Sequence, residues 1–239
     1  MYSYQTKNKY LVKNLFAGRC NCYLVEKNNK TILVDTSLKI HQNLLRKKIK
    51  KYQATRSGID YLLLTHTHYD HAANAAMVKN EFKSKLIVHS EEAGYVENGR
   101  SNLPDGTNLF TRFIVWLGRN VLSESAFDFA PAIVDIRIDD MYDFPEEDWN
   151  IRIMHSPGHS GGSVSMIVDD EVAIAGDNIF GIFSHSIFPP FADDIETMMD
   201  SWRKLLDTNC KIFLPGHGKP ITKYRFEMNY DKYFKKYGV

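Results

Sequence analysis

This chain of 239 residues has few cysteines, almost no excess of basic over acidic residues, and no long apolar run. A small, odd number of cysteines does not suggest a disulfide framework, and the chain has three: Cys20, Cys22 and Cys210. The 30 basic and 29 acidic residues leave a net charge of +1, which gives no reason to expect a nucleic-acid partner. No apolar run approaches the roughly 20 residues of a membrane span, and the polar N-terminus lacks the apolar core of a signal peptide. We therefore expect a cytoplasmic protein that binds neither nucleic acid nor membrane.

Internal repeats and low-complexity linkers are also missing, so we expect residues 1–239 to form one domain. The 44% of hydrophobic residues is enough for a real core. Short apolar runs alternate with stretches of helical periodicity, which is typical of an α/β fold. We predict strands at residues 21–25, 31–34, 61–64, 85–89, 149–154, 163–168, 171–175 and 211–214, and helices at 38–52, 72–78, 109–122 and 194–206, followed by a terminal helix.

Residues 91–144 fit the alternating pattern poorly, and we interpret them as a helical insertion or cap. Within them, residues 109–122 carry many large apolar side chains, among them Phe110 and Trp116. Such side chains suit a lid over a pocket, a buried core or the interface of a homodimer. The sequence leaves these alternatives open.

The strongest chemical signal follows the apolar run 61–64, where His66, His68, Asp70 and His71 occur in one short segment. Neutral imidazoles and carboxylates are good ligands for zinc and similar divalent ions. Ligands at the end of a buried strand are held rigidly, while the loop that carries them reaches solvent and substrate. The segment therefore predicts a metal site.

The pattern H-x-H-x-D-H after an apolar strand resembles the metallo-β-lactamase-fold hydrolase superfamily, in its glyoxalase II-like or lactonase-like branch. Four further features occur in the family's order along the chain. They are Asp35 after an apolar run, His159 in a Pro-Gly-His turn, Asp177 after a second apolar run, and His217 in a Gly-His-Gly loop. The resemblance implies an α/β fold of the αββα four-layer sandwich type, with the helical insertion added.

The resemblance also implies a binuclear centre of two divalent ions, zinc in the first place, with iron or manganese as alternatives. The implied ligands are His66, His68 and His159 for one ion, Asp70, His71 and His217 for the other, and Asp177 as the bridge.

The resemblance also implies how the metal centre would act and what Asp70 and Asp35 would do. A hydroxide bridging the metals would attack an electrophilic carbonyl, and the ions would stabilise the developing oxyanion. Asp70 would act in catalysis by accepting or relaying a proton. Asp35 would orient a ligand histidine through its second ring nitrogen.

Simpler interpretations compete at several of these positions. Asp177 could be a helix cap or turn residue, and Asp35 could cap the helix that follows it. His155 falls outside the family pattern, so we interpret it as structural or pocket-lining. Cys20 and Cys22 are expected to be small buried residues on one face of a strand.

The residues also narrow the branch of the family. Genuine β-lactamases of this fold typically place a cysteine where Asp177 stands, which argues against an antibiotic-degrading role. Glyoxalase II carries a long helical C-terminal domain, whereas only 22 residues (239 − 217) follow His217 here. We therefore expect a hydrolase of a small-molecule ester, thioester or lactone. The side chains predicted to line its substrate pocket are Phe110, Trp116, Phe180, Phe183 and Phe188.

Two other classes of function remain open from the sequence. One is a mononuclear iron dioxygenase acting on a persulfide, which uses fewer of these histidines as ligands. The presence of both His71 and His217 makes us rank it lower. The other is a non-catalytic, metal-binding regulatory protein that retains the fold.

Overall fold

The computed structural model describes residues 2–17, 20–53 and 58–237, and it divides into two compact units. Unit 1 comprises Met1–Asn102 and Phe127–Ile138, and unit 2 comprises Leu103–Ala126 and Asp139–Val239. The segment that we interpreted as an insertion is therefore shared by both units. Across the described residues, none of the helices combines the length and the apolar character that a membrane span needs.

Unit 1 is built on a seven-stranded sheet whose strands follow one another in chain order. The first four strands pair antiparallel, and the fourth to seventh pair parallel. Its strands are β1 (Ser3–Gln5), β2 (Leu11–Ala17), β3 (Asn21–Lys27), β4 (Lys30–Val34), β5 (Tyr61–Leu63), β6 (Lys85–His89) and β7 (Ile136–Ile138).

The turn between β3 and β4 shows how local chemistry sets the register of this sheet. Asn28 and Asn29 both have positive φ angles, 49° and 62°. Two consecutive residues of this kind make a tight turn whose twist matches that of the strands, and asparagine tolerates the conformation well. β3 and β4 therefore form a hairpin in which Lys27 pairs with Lys30.

The helices of unit 1 are α1 (Gln42–Gln53), α2 (Tyr69–Ala72), α3 (Ala75–Phe82) and α4 (Ser90–Asn98). Two predictions need correction. The helix expected at residues 38–52 begins later, because Lys39–His41 form a separate 3-10 turn. The helix expected at residues 72–78 is divided into α2 and α3, because Asn74 has a non-helical backbone between them.

Unit 2 contains a six-stranded sheet in the order β13-β12-β11-β10-β9-β8, in which β11 and β12 alone pair in parallel among the described strands. Its strands are β8 (Met141–Asp143), β9 (Ile151–His155), β10 (Val164–Val168), β11 (Val172–Gly181), β12 (Ile212–Gly218) and β13 (Ile221–Thr222). Its helices are α5 (Leu109–Val121), α6 (Ile195–Leu206) and α7 (Lys223–Tyr237).

Helices α6 and α7 close the apolar core of unit 2. Trp202 of α6 is fully buried, and its indole N–H donates to the carbonyl oxygen of Asn178 at 2.6 Å. Its ring meets Phe226 of α7 edge-to-face at 5.2 Å. Burying an aromatic side chain of this size contributes about 2–3 kcal/mol. The packing holds α6 against β11, the strand that carries Asp177.

Candidate metal centre

Unit 1 carries four of the predicted ligands in the loop after β5 and in α2. We call His66, His68, Asp70 and His71 the histidine cluster. The ring centroid of His66 lies 4.6 Å from that of His68 and 4.0 Å from that of His71. All three imidazoles are buried, and Asp70 is half-buried. The backbone of His68 is extended, and the chain then turns into α2. That change of direction brings residues of one short segment together.

Asp35 supports this cluster from the end of β4. One carboxylate oxygen accepts a hydrogen bond from the Thr65 backbone N–H at 2.8 Å. The other accepts from the Thr65 hydroxyl at 2.8 Å and lies 2.9 Å from Nδ1 of His71. These bonds join Asp35 to the ligand loop, whereas helix α1 begins only at Gln42. The geometry therefore favours the supporting role over the capping role.

The same contacts determine which nitrogen of each ring carries the proton. The Asp35 carboxylate is an acceptor, so Nδ1 of His71 carries a hydrogen and donates it. Because the Thr65 hydroxyl donates to Asp35, its oxygen is left to accept from Nδ1 of His66 at 3.1 Å. In both rings the lone pair then resides on Nε2, the form in which an imidazole binds a metal.

The backbone of His71 is also held in place. Thr36 donates both its backbone N–H and its hydroxyl to the His71 carbonyl oxygen, at 2.8 and 2.7 Å. The amide of Asn74 donates in turn to the carbonyl oxygens of Thr36 and Ser37. The turn between α2 and α3 is therefore tied to the segment that follows β4.

Sequence reasoning missed Glu92, the buried carboxylate that holds the centre of the ligand loop. Glu92 lies in the first turn of α4 and is 5% exposed. One of its oxygens accepts from the backbone N–H of Thr67 at 2.9 Å and from the Thr67 hydroxyl. Thr67 stands between His66 and His68, so Glu92 restrains both. The only signal in the sequence was an acidic residue at the start of a helix. The helix dipole favours acidic residues there in any case, so this signal did not indicate a contact with the ligand loop.

Cys20 is the third side chain beside His71 and Asp35. Its sulfur lies 3.4 Å from Nδ1 of His71, and the ligand atoms of the three residues lie within 4.8 Å of one another. Burial, followed by the contact with Cys22, raises the pKa of the Cys20 thiol well above its usual range. Both cysteines are fully buried, as expected from the sequence.

Unit 2 carries the other three predicted ligands, His159, Asp177 and His217, which we call the carboxylate cluster. Oδ2 of Asp177 lies 3.2 Å from Nε2 of His217 and 3.8 Å from Nε2 of His159. All three side chains are buried. Nδ1 of His159 donates to the carbonyl oxygen of Phe191 at 2.9 Å, so its Nε2 is again the nitrogen with the lone pair.

Backbone irregularities place two of these side chains, Asp177 and His159. Asp177 was predicted at the end of a strand, but β11 continues to Gly181. The register between β11 and β12 shifts on both sides of Gly176, whose φ is 54°, so a bulge rather than a strand end aims Asp177. His159 follows Gly158, where φ is 125°. That angle favours glycine, and a Cβ there would collide with the backbone of Met198.

The phenylalanines predicted to line a pocket occupy different surroundings. Phe180 is buried with its ring 4.8 Å from that of His217, and Phe183 stacks on Phe180 at 6.3 Å while remaining 42% exposed. Phe188 is half-buried, stacks on Tyr233 and Tyr237 of α7, and packs with them against the core of unit 2. Phe110 and Trp116 lie on α5 and are exposed.

Histidines outside the family pattern make structural contacts. The ring of His155 bonds through Nε2 to the carbonyl oxygen of Gly161 at 2.7 Å. His41 bonds to the hydroxyl of Ser37, and His89 accepts from the backbone N–H of Glu91 at the start of α4. The structural interpretation of His155 therefore agrees with its contacts.

The side chains of the two clusters, imidazoles and carboxylates, are donors that suit divalent cations. In a tetrahedral zinc site with bonds of about 2.0–2.1 Å, two ligand atoms lie about 3.3–3.4 Å apart. The Asp177 oxygen and Nε2 of His217 are close to that separation. The histidine cluster adds imidazoles whose Nδ1 atoms are bonded to fixed acceptors, the usual arrangement of metal-binding histidines.

Comparison with known proteins agrees with these features. Residues 15–217 match the family model described as the metallo-beta-lactamase superfamily. The chain is 26% identical over 218 residues to the beta-lactamase-like protein 2 homolog of Drosophila melanogaster, covering 88% of this chain but only 63% of that longer protein. It is 28% identical over 230 residues to a protein of Streptococcus pyogenes named as a probable metallo-hydrolase, covering 94% and 89% of the two chains. It is 25% identical over 209 residues to the atrochrysone carboxyl ACP thioesterase of Aspergillus novofumigatus, covering 84% of this chain and 50% of that protein.

Solved structures confirm the predicted fold class. The B3 metallo-beta-lactamase BLEG-1 superposes with a TM-score of 0.67 at 20% identity, over 90% of this chain and 95% of that one. At this identity the likeness establishes the fold alone. With its two mixed sheets, its ordered ligand motifs and the family match over most of its length, the chain belongs to the metallo-beta-lactamase superfamily.

Proposed function

We propose that the histidine cluster and the carboxylate cluster together bind two divalent metal ions, zinc in the first place, and that the centre hydrolyses an ester, thioester or lactone of a small molecule. The observation that carries the proposal is the fixed orientation of three imidazoles. The Nδ1 atoms of His66, His71 and His159 bond to the Thr65 hydroxyl, the Asp35 carboxylate and the Phe191 carbonyl oxygen, respectively. Each ring is thereby prepared to offer Nε2 to a cation.

The proposed division of ligands follows the family resemblance. One ion would be held by His66, His68 and His159, the other by Asp70, His71 and His217, with Asp177 shared between them. When bound, such ions lower the pKa of water and polarise a carbonyl oxygen.

The chain's own groups would then move the protons of the reaction. Water adds to the carbonyl carbon, and its proton passes to the half-buried carboxylate of Asp70. The acyl C–O or C–S bond breaks, and the proton passes from Asp70 to the departing alkoxide or thiolate. Asp35 holds the orientation of His71 throughout, because its two oxygens are fixed by the backbone and hydroxyl of Thr65.

An apolar acyl group is the substrate feature that unit 2 accommodates best. The ring of Phe180 lies 4.8 Å from that of His217, and Ile182 and Phe183, close to it in the chain, are exposed apolar side chains. A thioester is one member of the substrate class, and one relative bears the name of a thioesterase. A hydrophobic pocket beside few, well-placed polar groups is typical of sites for small substrates.

Metal content and turnover of the same sample test the proposal. Protein purified without added metal is expected to hold two zinc ions per chain by elemental analysis, and to hydrolyse members of a panel of esters, thioesters and lactones. His159→Gln should lose metal and activity. His155→Gln is the matched control, because His155 lies close by in sequence but bonds to the Gly161 carbonyl oxygen, and it should retain both.

Other results would identify a different function. One iron per chain with persulfide-dependent oxygen uptake would replace the proposal by a dioxygenase. Full metal content without turnover of any substrate would indicate a binding protein. Turnover confined to β-lactams included in the panel would contradict the assigned substrate class.

A further inference from the structure

Helix α5 presents an unusually apolar face to solvent. Six apolar side chains lie on one side of this helix, here called the α5 face: Leu109, Phe110, Phe113, Ile114, Leu117 and Val121. Their exposed fractions run from 42% for Ile114 to 85% for Leu109. On the opposite side, Thr111 and Val115 are buried and attach the helix to unit 2. The apolar side of an amphipathic helix normally faces a core, so this helix has the reverse arrangement.

The exposed area of the α5 face is close to the area that one subunit buries in a stable interface. With residue areas on the order of 200 Å², the six exposed fractions amount to roughly 700 Å². The largest apolar patch of a typical monomer covers about 300–600 Å². A stable interface between two proteins buries about 800 Å² on each partner. One helix therefore supplies most of what a stable dimer requires.

The positions of the charged side chains on α5 favour a second copy of the chain over an anionic lipid surface as the partner. Within α5, all of whose side chains are described, the two cationic residues point away from the α5 face. Arg112 donates to the carbonyl oxygen of Gly106, and Arg119 pairs with Asp105 at 3.0 Å. A helix that binds anionic lipid keeps its basic residues available to the headgroups. A face without charged side chains offers nothing to a charged partner and does not repel its own copy.

We propose that the α5 face is the interface of a homodimer, in which α5 of one copy packs antiparallel on α5 of a second copy. A two-fold axis near Phe113 would let the same six side chains serve both partners. Ridges formed by residues three and four apart interdigitate in such a pair. The macrodipoles of antiparallel helices also oppose one another favourably.

Sedimentation velocity over a range of protein concentrations tests this inference without any substrate. The wild-type protein should sediment as a dimer of twice the 27.6 kDa chain mass. Phe113→Glu places two like charges beside the axis and should yield monomers. Met228→Glu on α7 is the matched control, because Met228 is as exposed as Phe113, at 56%, and this variant should remain dimeric. Circular dichroism establishes that both variants are folded.

Crosslinking and lipid binding separate the alternatives. Phe113→Cys should form a disulfide-linked dimer on mild oxidation, since the described native cysteines are buried. A wild-type protein that stays monomeric up to about 100 µM, above the micromolar range of weak complexes, would overturn the proposal. So would a dimer that Phe113→Glu leaves intact. Monomeric wild type that co-sediments with phosphatidylglycerol vesicles, and loses this through Phe113→Glu, would assign the face to lipid instead.

Discussion

The two ligand clusters reach their positions by opposite means. The histidine cluster comes from one contiguous segment, in which the loop after β5 turns into α2 at His68. The carboxylate cluster comes from three distant segments of unit 2, and irregularities of the backbone aim two of its side chains, His159 and Asp177. A contiguous cluster depends on polar side chains that hold a loop, whereas a dispersed cluster depends on glycines and strand register. Substitutions should therefore damage the two clusters in different ways.

The largest effect is expected from Asp177→Asn. Asparagine cannot supply the negative charge that Asp177 places between two imidazoles, so the proposed shared ligand would be a neutral amide. We expect metal affinity to fall by more than the about 10–100-fold that loss of an outer hydrogen-bond partner causes. Activity and metal content should fall together, as measured by turnover and elemental analysis. Asp169→Asn is the control, since Asp169 is equally buried in unit 2 but accepts from Asn150. Full metal in the Asp177 variant would remove the basis for the shared ligand.

A nearly equal loss is expected from Gly158→Ala, although it changes no ligand. Alanine is strained at a φ of 125°, at a cost of about 1–3 kcal/mol, and its Cβ would displace the backbone of Met198. His159 should move with the turn and bind metal poorly. Gly94→Ala in α4 is the control, because a Cβ there meets open space and should stabilise the helix by up to about 1 kcal/mol. Thermal denaturation and zinc titration measure both. Equal zinc affinity in the two variants would show that the turn does not aim His159.

This contrast also explains how far sequence reasoning reached. The segment from His66 to His71 could be interpreted because its ligands, its preceding strand and its turn are local. The extension of β11 through Asp177 could not, because a bulge depends on pairing with β12, a strand about forty residues away. Secondary structure in the 91–144 region was only partly predicted. Strands β7 and β8 have three residues each, too short for a periodic signal.

The role of Glu92 could not be predicted from the sequence either. Nothing in its neighbours indicates that a residue of α4 reaches back to Thr67, since the contact joins the helix to a loop 25 residues earlier in the chain. The role of Asp35 could be inferred from the family pattern, but the sequence could not decide between this role and a helix cap. The bonds of Asp35 to Thr65 and His71 favour the supporting role.

A moderate effect is expected from Asp35→Asn. The amide keeps the volume but offers one acceptor where two oxygens now serve Thr65 and His71. Loss of such an outer partner typically lowers metal affinity by about 10–100-fold. Competition with a chromophoric chelator measures this affinity directly, and Asp60→Asn, which loses bonds to Thr31 and Lys30, is the control. Unchanged zinc affinity in a folded Asp35 variant would show that the bond between Asp35 and His71 is not needed to orient the His71 ring.

The smallest effect is expected from Glu92→Gln, and it tests whether the contiguous cluster needs its polar support. Both hydrogen bonds from Thr67 go to a single oxygen of Glu92, so glutamine can still accept them, but it lacks the charge that strengthens them, and about 1–3 kcal/mol of stability should be lost. Glu97→Gln on the same helix removes an exposed ion pair with Arg137, which is worth about 1 kcal/mol or less. Chemical denaturation compares the two variants, and zinc titration of the folded proteins separates stability from positioning. A Glu92 variant with weaker zinc binding, set against a Glu97 variant with normal binding, would identify Glu92 as a positioning residue. A loss of stability alone would limit Glu92 to holding the loop, and the contiguous cluster would then be rigid enough to bind metal through its own turn.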